Sequence, residues 1–232
     1  MAKLGQHPNS QHSHPFGLRV VGVLGGVGSG KSTVAALLAE QLPGVHLDAD
    51  QIVTELLKSV EIGEQISVAL GPGLLGPDGL VCRKSIGERI FQDSKARSSL
   101  ESILHPAVRK ELWEGLQIAE ACESGWAVLD APLLLENGLN VICDHLIFTE
   151  TEEKTRASRA MARHGWSLEE WQLRESAQLS IEQKKSSSHA ILYNVSGVEH
   201  LRKQVQELLP TLRALPPRPL RDRWPSPDRS PF

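Results

Sequence analysis

Gly25-Gly26-Val27-Gly28-Ser29-Gly30-Lys31-Ser32 fits the phosphate-loop pattern G-x-x-x-x-G-K-[ST]. The apolar run Val20 to Leu24 precedes it, and a helical pattern with Val34, Leu37, Leu38 and Leu42 follows, closed by Pro43-Gly44. Strand, glycine loop and helix in that order aim backbone N–H groups and a helix N-terminus at one spot, where a polyphosphate satisfies them. Gly26, Val27, Gly28, Ser29 and Gly30 would form the cradle, with Thr33 beside it. Lys31 would reach the β- and γ-phosphates, and the Ser32 hydroxyl would enter the Mg²⁺ shell. A glycine-rich turn bearing a solvated lysine is the bland alternative, and the correct flanks on both sides weigh against it.

Working outward, Val45-His46-Leu47 leads into Asp48-Ala49-Asp50, so strand, helix and strand form a parallel βαβ unit. Ligands of open parallel sheets bind beyond the carboxyl ends of the strands, which places Asp48 and Asp50 beside the loop. One acid there can take the proton of an attacking hydroxyl while the other holds Mg²⁺ through water. Capping of the helix carrying Ile52, Val53, Leu56 and Leu57 is the competing role, and is compatible with the first.

Helical patterns are expected over Glu61 to Leu70 and from Ser94 to about Glu123, the latter interrupted at His105-Pro106. Gly71 to Gly79 reads as a turn-rich break, and Arg83, Lys84 and Arg89 follow it. Trp126 to Leu129 is a third strand, with Asp130 at its end placed to help hold the metal. Ala131 to Gly138 embeds Glu136 in an apolar patch suited to an acceptor pocket. A fourth strand is expected at His145 to Thr149, then a helix whose Arg159 and Arg163 stand four apart on one face. Ser167 and Glu170 form a capping box. Arginines over a phosphate site suit a closing lid, whereas an exposed helix with ordinary charges explains the spacing equally well. Gln178 and Lys184 extend the polar set, Ala190 to Tyr193 is a fifth strand ending at Asn194, and an amphipathic helix begins after Gly197.

At 232 residues the chain has room for one sizeable α/β domain. A net charge of −3 excludes a general nucleic-acid binder. No apolar stretch approaches the ~20 residues that span a bilayer, so no membrane partner is expected. Cys82, Cys122 and Cys143, odd in number and widely spaced, are expected to be reduced and buried in a cytoplasmic protein. Residues 1–17, with His7, His12 and His14, read as an unstructured extension, and 215–232 as a disordered proline- and arginine-rich tail.

With these positions laid out, Leu18 to Leu209 resembles the dephospho-coenzyme A kinase family. The resemblance rests on the loop through Thr33, Asp48-Ala49-Asp50, Glu88-Arg89-Ile90-Phe91, Leu104-His105-Pro106, Pro132-Leu133-Leu134 with Glu136-Asn137, Arg159/Arg163, Gln178 and Asn194. It implies a three-layer α/β fold of the P-loop nucleoside triphosphate hydrolase type around a five-stranded parallel sheet. A kinase domain over 18–214 would hold a helical acceptor-binding region (about 51–123) and a lid (about 154–188). The implied reaction moves the γ-phosphoryl of ATP, with Mg²⁺, to the 3′-hydroxyl of dephospho-coenzyme A. Asp50 then looks like the base, with Lys31, Arg163 and Arg159 on the nucleotide and Asn194 beside it. Asp48, Arg89, His105, Pro132 and Glu136 fall on the acceptor side, Ser32 and Asp130 at the metal. Leu24, Gly87 and Ser188-His189 depart from the family pattern. A kinase for a nucleoside monophosphate or a sugar, or a nucleotide-dependent switch, remains open on the loop alone. The oligomeric state is unspecified.

Overall fold

The computed structural model describes residues 17–224 apart from 77, 123 and 124. Five parallel strands lie in the order β2-β3-β1-β4-β5: β1 Arg19–Gly25, β2 Val45–Asp48, β3 Trp126–Asp130, β4 His145–Glu150 and β5 Ala190–Tyr193. The side-chain period of two splits β1 between two cores. Val20 and Leu24 face one, shared with Leu112, Leu116 and Ala119 of α5 (Ser94–Ala121). Val21 and Val23 face the other, filled by α1 (Lys31–Gln41) and α9 (Val198–Arg213). Helix, sheet, helix is the three-layer architecture expected, with β1 and the loop after it at the centre.

A third cluster stands off the sheet. Ile62 and Ile66 of α3 (Val60–Leu70), Ile86 of α4 (Arg83–Gln92) and Leu100 and Leu104 of α5 pack together, with Val53 of α2 (Ala49–Leu56) against them. Helix α5, 28 residues long, therefore serves this cluster and the sheet core that holds Val20 and Leu24. It passes through Pro106 without a break, contrary to the expected interruption. Proline denies the Ser102 carbonyl its i+4 donor at a cost of about 3 kcal/mol. Burial of Leu100 and Leu104 before it, and of Leu112 and Leu116 after it, outweighs that loss.

The described part of the expected disordered tail is ordered instead. Leu18 and Arg218 form an antiparallel bridge, with N–H to O distances of 2.9 and 3.0 Å. The Arg223 guanidinium donates to the carbonyls of Ile142 (2.8 Å) and Leu18 (2.6 Å) and pairs with Asp144 (2.5 Å), which Arg218 also meets at 2.6 Å. Leu220 is buried and Trp224 packs on Trp113. A composition argument misses this because the anchors are single side chains answering residues about 70 to 200 positions away. The N-terminal extension up to 16 and the tail from 225 lie outside the described residues. Removing one partner of a buried pair leaves the other charge stranded. Asp144→Ala is accordingly expected to cost about 3–5 kcal/mol in a denaturant melt, and a loss under about 1 kcal/mol would show the strap to be unimportant.

The three cysteines are free, but only Cys143 is buried, where desolvation pushes its thiol up to about 12. Cys82 is half-buried and Cys122 exposed, so the expectation of burial holds for one of three. Among the described residues no helix is long and apolar enough to cross a membrane.

Candidate active site

The glycine loop turns directly from β1 into α1. Gly28 (φ 84°) and Gly30 (φ 88°) lie in the left-handed region, and a Cβ on either would strike Arg156 O at 2.2 Å or Asn194 Nδ2 at 2.4 Å. The Ser29 carbonyl accepts from Thr151 Oγ1 and Asn194 Nδ2, both at 2.8 Å. Among the described residues the N–H groups of Gly28, Gly30, Lys31 and Ser32 have no protein acceptor, which leaves four donors for an anion. Thr33 N–H is committed to Gly30 O at 3.0 Å, closing the first turn of α1.

Val27 is occupied differently. Its N–H donates to Glu175 Oε2 at 2.8 Å, and its carbonyl accepts from Trp171 Nε1 at 3.2 Å, both on α7 (Leu168–Ser176). Arg156 on α6 (Glu153–His164) is buried, pairs with the same Glu175 and donates to Thr151 O at 3.2 Å. The Ser167/Glu170 capping box starts α7 as its spacing predicts. Thus Val27 and Asn194, expected to serve the nucleotide, brace the loop. Thr151 and Glu175 carry no sequence motif; their role arises only once β4 and α7 are brought to the loop.

Lys31 Nζ donates to Asp130 Oδ1 at 3.0 Å, and the Asp130 side chain is 1 % exposed. Its Oδ2 is buried without a protein hydrogen-bond partner. Asp48 and Asp130 are register partners at the ends of β2 and β3. Asp48 Oδ1 accepts from Asp50 N (2.9 Å) and Gln51 N (3.1 Å), which makes it the N-cap of α2. Asp50, in the first turn, points its carboxylate into the field of Lys31, Asp130 and Arg163. Part of its surface opens to solvent and part is covered by its neighbours. That desolvation raises its pKa above the ordinary carboxylate value, Lys31 opposing and Asp48 and Asp130 adding to the rise. Arg159 and Arg163 are exposed, and Arg159 Nη1 lies 3.9 Å from where a Gly30 Cβ would stand. Neither arginine has an ion-pair partner among the described residues.

A cavity of about 270 Å³ opens beside Asp50, lined by Val53, Leu104, His105, Arg109 and Pro132 among others. It brings Asp50, His105 and Pro132 together. Three expected acceptor residues, Arg89, Glu136 and Asp48, fall elsewhere: Arg89 is exposed on α4, 3.5 Å from Asp93, and Glu136 turns away. Glu136 Oε1 accepts from Leu179 N at 2.8 Å and meets Lys184 Nζ at 3.4 Å, because Lys184 is buried and needs an acid. Gln178 takes the other bond of that ammonium at 2.6 Å. Asp48 likewise lines a separate groove of about 780 Å³ behind α2, which no loop residue reaches. Of the positions that depart from the family pattern, Leu24 is core, a Cβ on Gly87 would meet nothing within 4 Å, and His189 stacks on His145 at 4.9 Å.

A loop of free amides, a lysine, an unpaired buried carboxylate oxygen and a second acid at a cavity mouth suit phosphoryl transfer to an alcohol. The comparisons with known proteins agree. The dephospho-CoA kinase family model matches residues 19–200. The dephospho-CoA kinase of Geobacter sulfurreducens is 38% identical over 194 residues, covering 82% of this chain and 97% of the relative. That of Symbiobacterium thermophilum is 37% identical over 191 residues, covering 82% and 79%. The crystal structure of TT1252 from Thermus thermophilus superposes with a TM-score of 0.70 at 31% identity, over 84% of this chain and 98% of that one. With the loop, the paired strand-end acids and these matches in hand, the chain belongs to the dephospho-CoA kinase family.

Proposed function

We propose that this chain phosphorylates the 3′-hydroxyl of dephospho-coenzyme A with ATP, giving coenzyme A and ADP, the last step of coenzyme A synthesis. The observation that carries the reading is the meeting of two half-sites: Lys31 and the loop amides on one side, and Asp50 at the mouth of the acceptor cavity on the other. The bond from the γ-phosphorus to the β–γ bridging oxygen breaks and one to the 3′-oxygen forms. Asp50 takes the hydroxyl proton, and ADP leaves with the electron pair. Lys31 and the loop N–H groups neutralise the phosphate oxygens, and Arg159 and Arg163 add charge from α6. His105 and Pro132 wall the acceptor.

The donor set fits Mg²⁺, a hard cation that keeps waters and shares substrate phosphates. Ser32 Oγ would hold it directly and Asp130 through water, since Asp130 Oδ2 is buried and unpaired. When bound, the ion neutralises charge between the β- and γ-phosphates. The cytoplasm, where ATP is abundant and thiols stay reduced, is the compartment this reading assigns, with small molecules as partners.

The decisive experiment is a mass-spectrometric assay of coenzyme A formed from dephospho-coenzyme A and Mg·ATP, with ADP released in equal amount. Slow ATP hydrolysis indifferent to any small acceptor would favour a nucleotide switch. Because the base must be ionised and its pKa is raised, kcat/KM is expected to fall as pH drops through a value above the ordinary Asp range of about 4. An acid limb at or below pH 4 would assign that proton elsewhere.

A further inference from the structure

The C-terminal strap ends where the acceptor cavity begins. Leu220 N–H donates to Glu120 Oε1 at 2.7 Å, the Trp224 ring stands 5.1 Å from that of Trp113, and the Arg109 guanidinium lies over Trp224, 5.6 Å from its centroid. Glu120, Trp113 and Arg109 follow one another along a single stripe of α5. Arg109 also lines the cavity beside Asp50. Among the described lining residues it alone carries a fixed positive charge, set among apolar walls with Asp50 and Glu101 as the acids. Its neighbour Lys110 pairs with Glu114 at 3.9 Å, whereas no carboxylate pairs with Arg109 among the described residues.

We propose that Arg109 binds the diphosphate of the acceptor and that Trp224, from the C-terminal strap, is the residue that positions it. The inference rests on the reading above, in which the acceptor is dephospho-coenzyme A, whose diphosphate links the nucleoside to its pantetheine arm. A diphosphate entering a largely apolar cavity needs a counter-charge, and a planar guanidinium meets phosphate oxygens two at a time. Arginine is also long and samples many rotamers. An indole face under the guanidinium holds it by the ring quadrupole while leaving its edge N–H groups free for the ligand. Trp113, one turn further along the same stripe, packs against the indole at a tilt of 52°.

The test uses the full chain, with Trp224→Ala, Trp224→Phe, Arg109→Ala and the double variant Trp224→Ala/Arg109→Ala. Trp224→Ala is expected to raise KM for dephospho-coenzyme A about three- to tenfold, with kcat and KM for ATP within about twofold. Trp224→Phe recovers most of that shift, and Trp224→Ala adds nothing in the Arg109→Ala background. A KM shift of equal size in both backgrounds overturns the proposal, as does a lowered melting temperature with KM for dephospho-coenzyme A unchanged. Calorimetric titration with dephospho-coenzyme A separates the two layers of the argument. Binding that depends on Arg109 and Trp224 without turnover refutes the reaction and upholds the inference. Turnover with binding indifferent to either residue does the reverse, and no binding at all refutes both.

Discussion

Asp50→Asn is expected to lower kcat by about 10²–10⁴-fold, the range removed when a positioned general base is lost. That corresponds to roughly 3–5.5 kcal/mol of transition-state stabilisation. The substitution keeps the shape of the side chain, its place in the first turn of α2 and the Asp48 cap, whose donors are backbone N–H groups. It removes only the ability to accept a proton. Because the folded site raises the pKa of Asp50, the ionised carboxylate is disfavoured there, and the neutral amide is not expected to lower the melting temperature. Steady-state rates beside a thermal melt check both points. The acid limb of the pH profile should vanish in the variant. Turnover within tenfold of wild type, with both substrates bound, would mean that another group accepts the proton.

Lys31→Ala ranks second, with kcat/KM for ATP expected to fall about 10²–10³-fold as a charge aimed at the transferring group is lost. The structure adds a complication specific to this chain. Lys31 neutralises Asp130, whose carboxylate is almost wholly buried, so the variant leaves that acid without its cation. Asp130→Asn combined with Lys31→Ala relieves the stranded charge and is expected to recover melting temperature without recovering activity. If the double variant recovers both, Lys31 matters for holding Asp130 and not for the phosphates.

The parts of the molecule that sequence reveals are those whose cause is local. The loop glycines, the strand before them and the helix after them occupy one short stretch, and alternation of Val20, Val21, Val23 and Leu24 between two cores follows from backbone geometry alone. The five strands and the Ser167/Glu170 box were legible for the same reason. What stayed hidden depends on who is brought alongside. Asn194 and Val27 sit where nucleotide ligands are expected, yet braces from Thr151, Trp171 and Glu175 decide what they do. Glu136 reads as an acid embedded in an apolar acceptor wall until buried Lys184 arrives to claim it. Pro106 breaks a helix on propensity and fails to break one packed on both sides. Arg109 and Trp224 are 115 positions apart, and no periodicity links them.

The two bonds that Thr151 and Asn194 donate to the Ser29 carbonyl reach past that oxygen. A trans peptide unit is planar, with its C=O and N–H directed oppositely. Tethering the oxygen to the ends of β4 and β5 therefore fixes the whole plate and directs the Gly30 hydrogen away from the sheet, toward the place a phosphate would take. An arriving anion finds that donor already oriented, so little backbone entropy is surrendered when it docks. Loosening either tether should thus weaken nucleotide affinity from a distance, without touching a single group that meets the ligand.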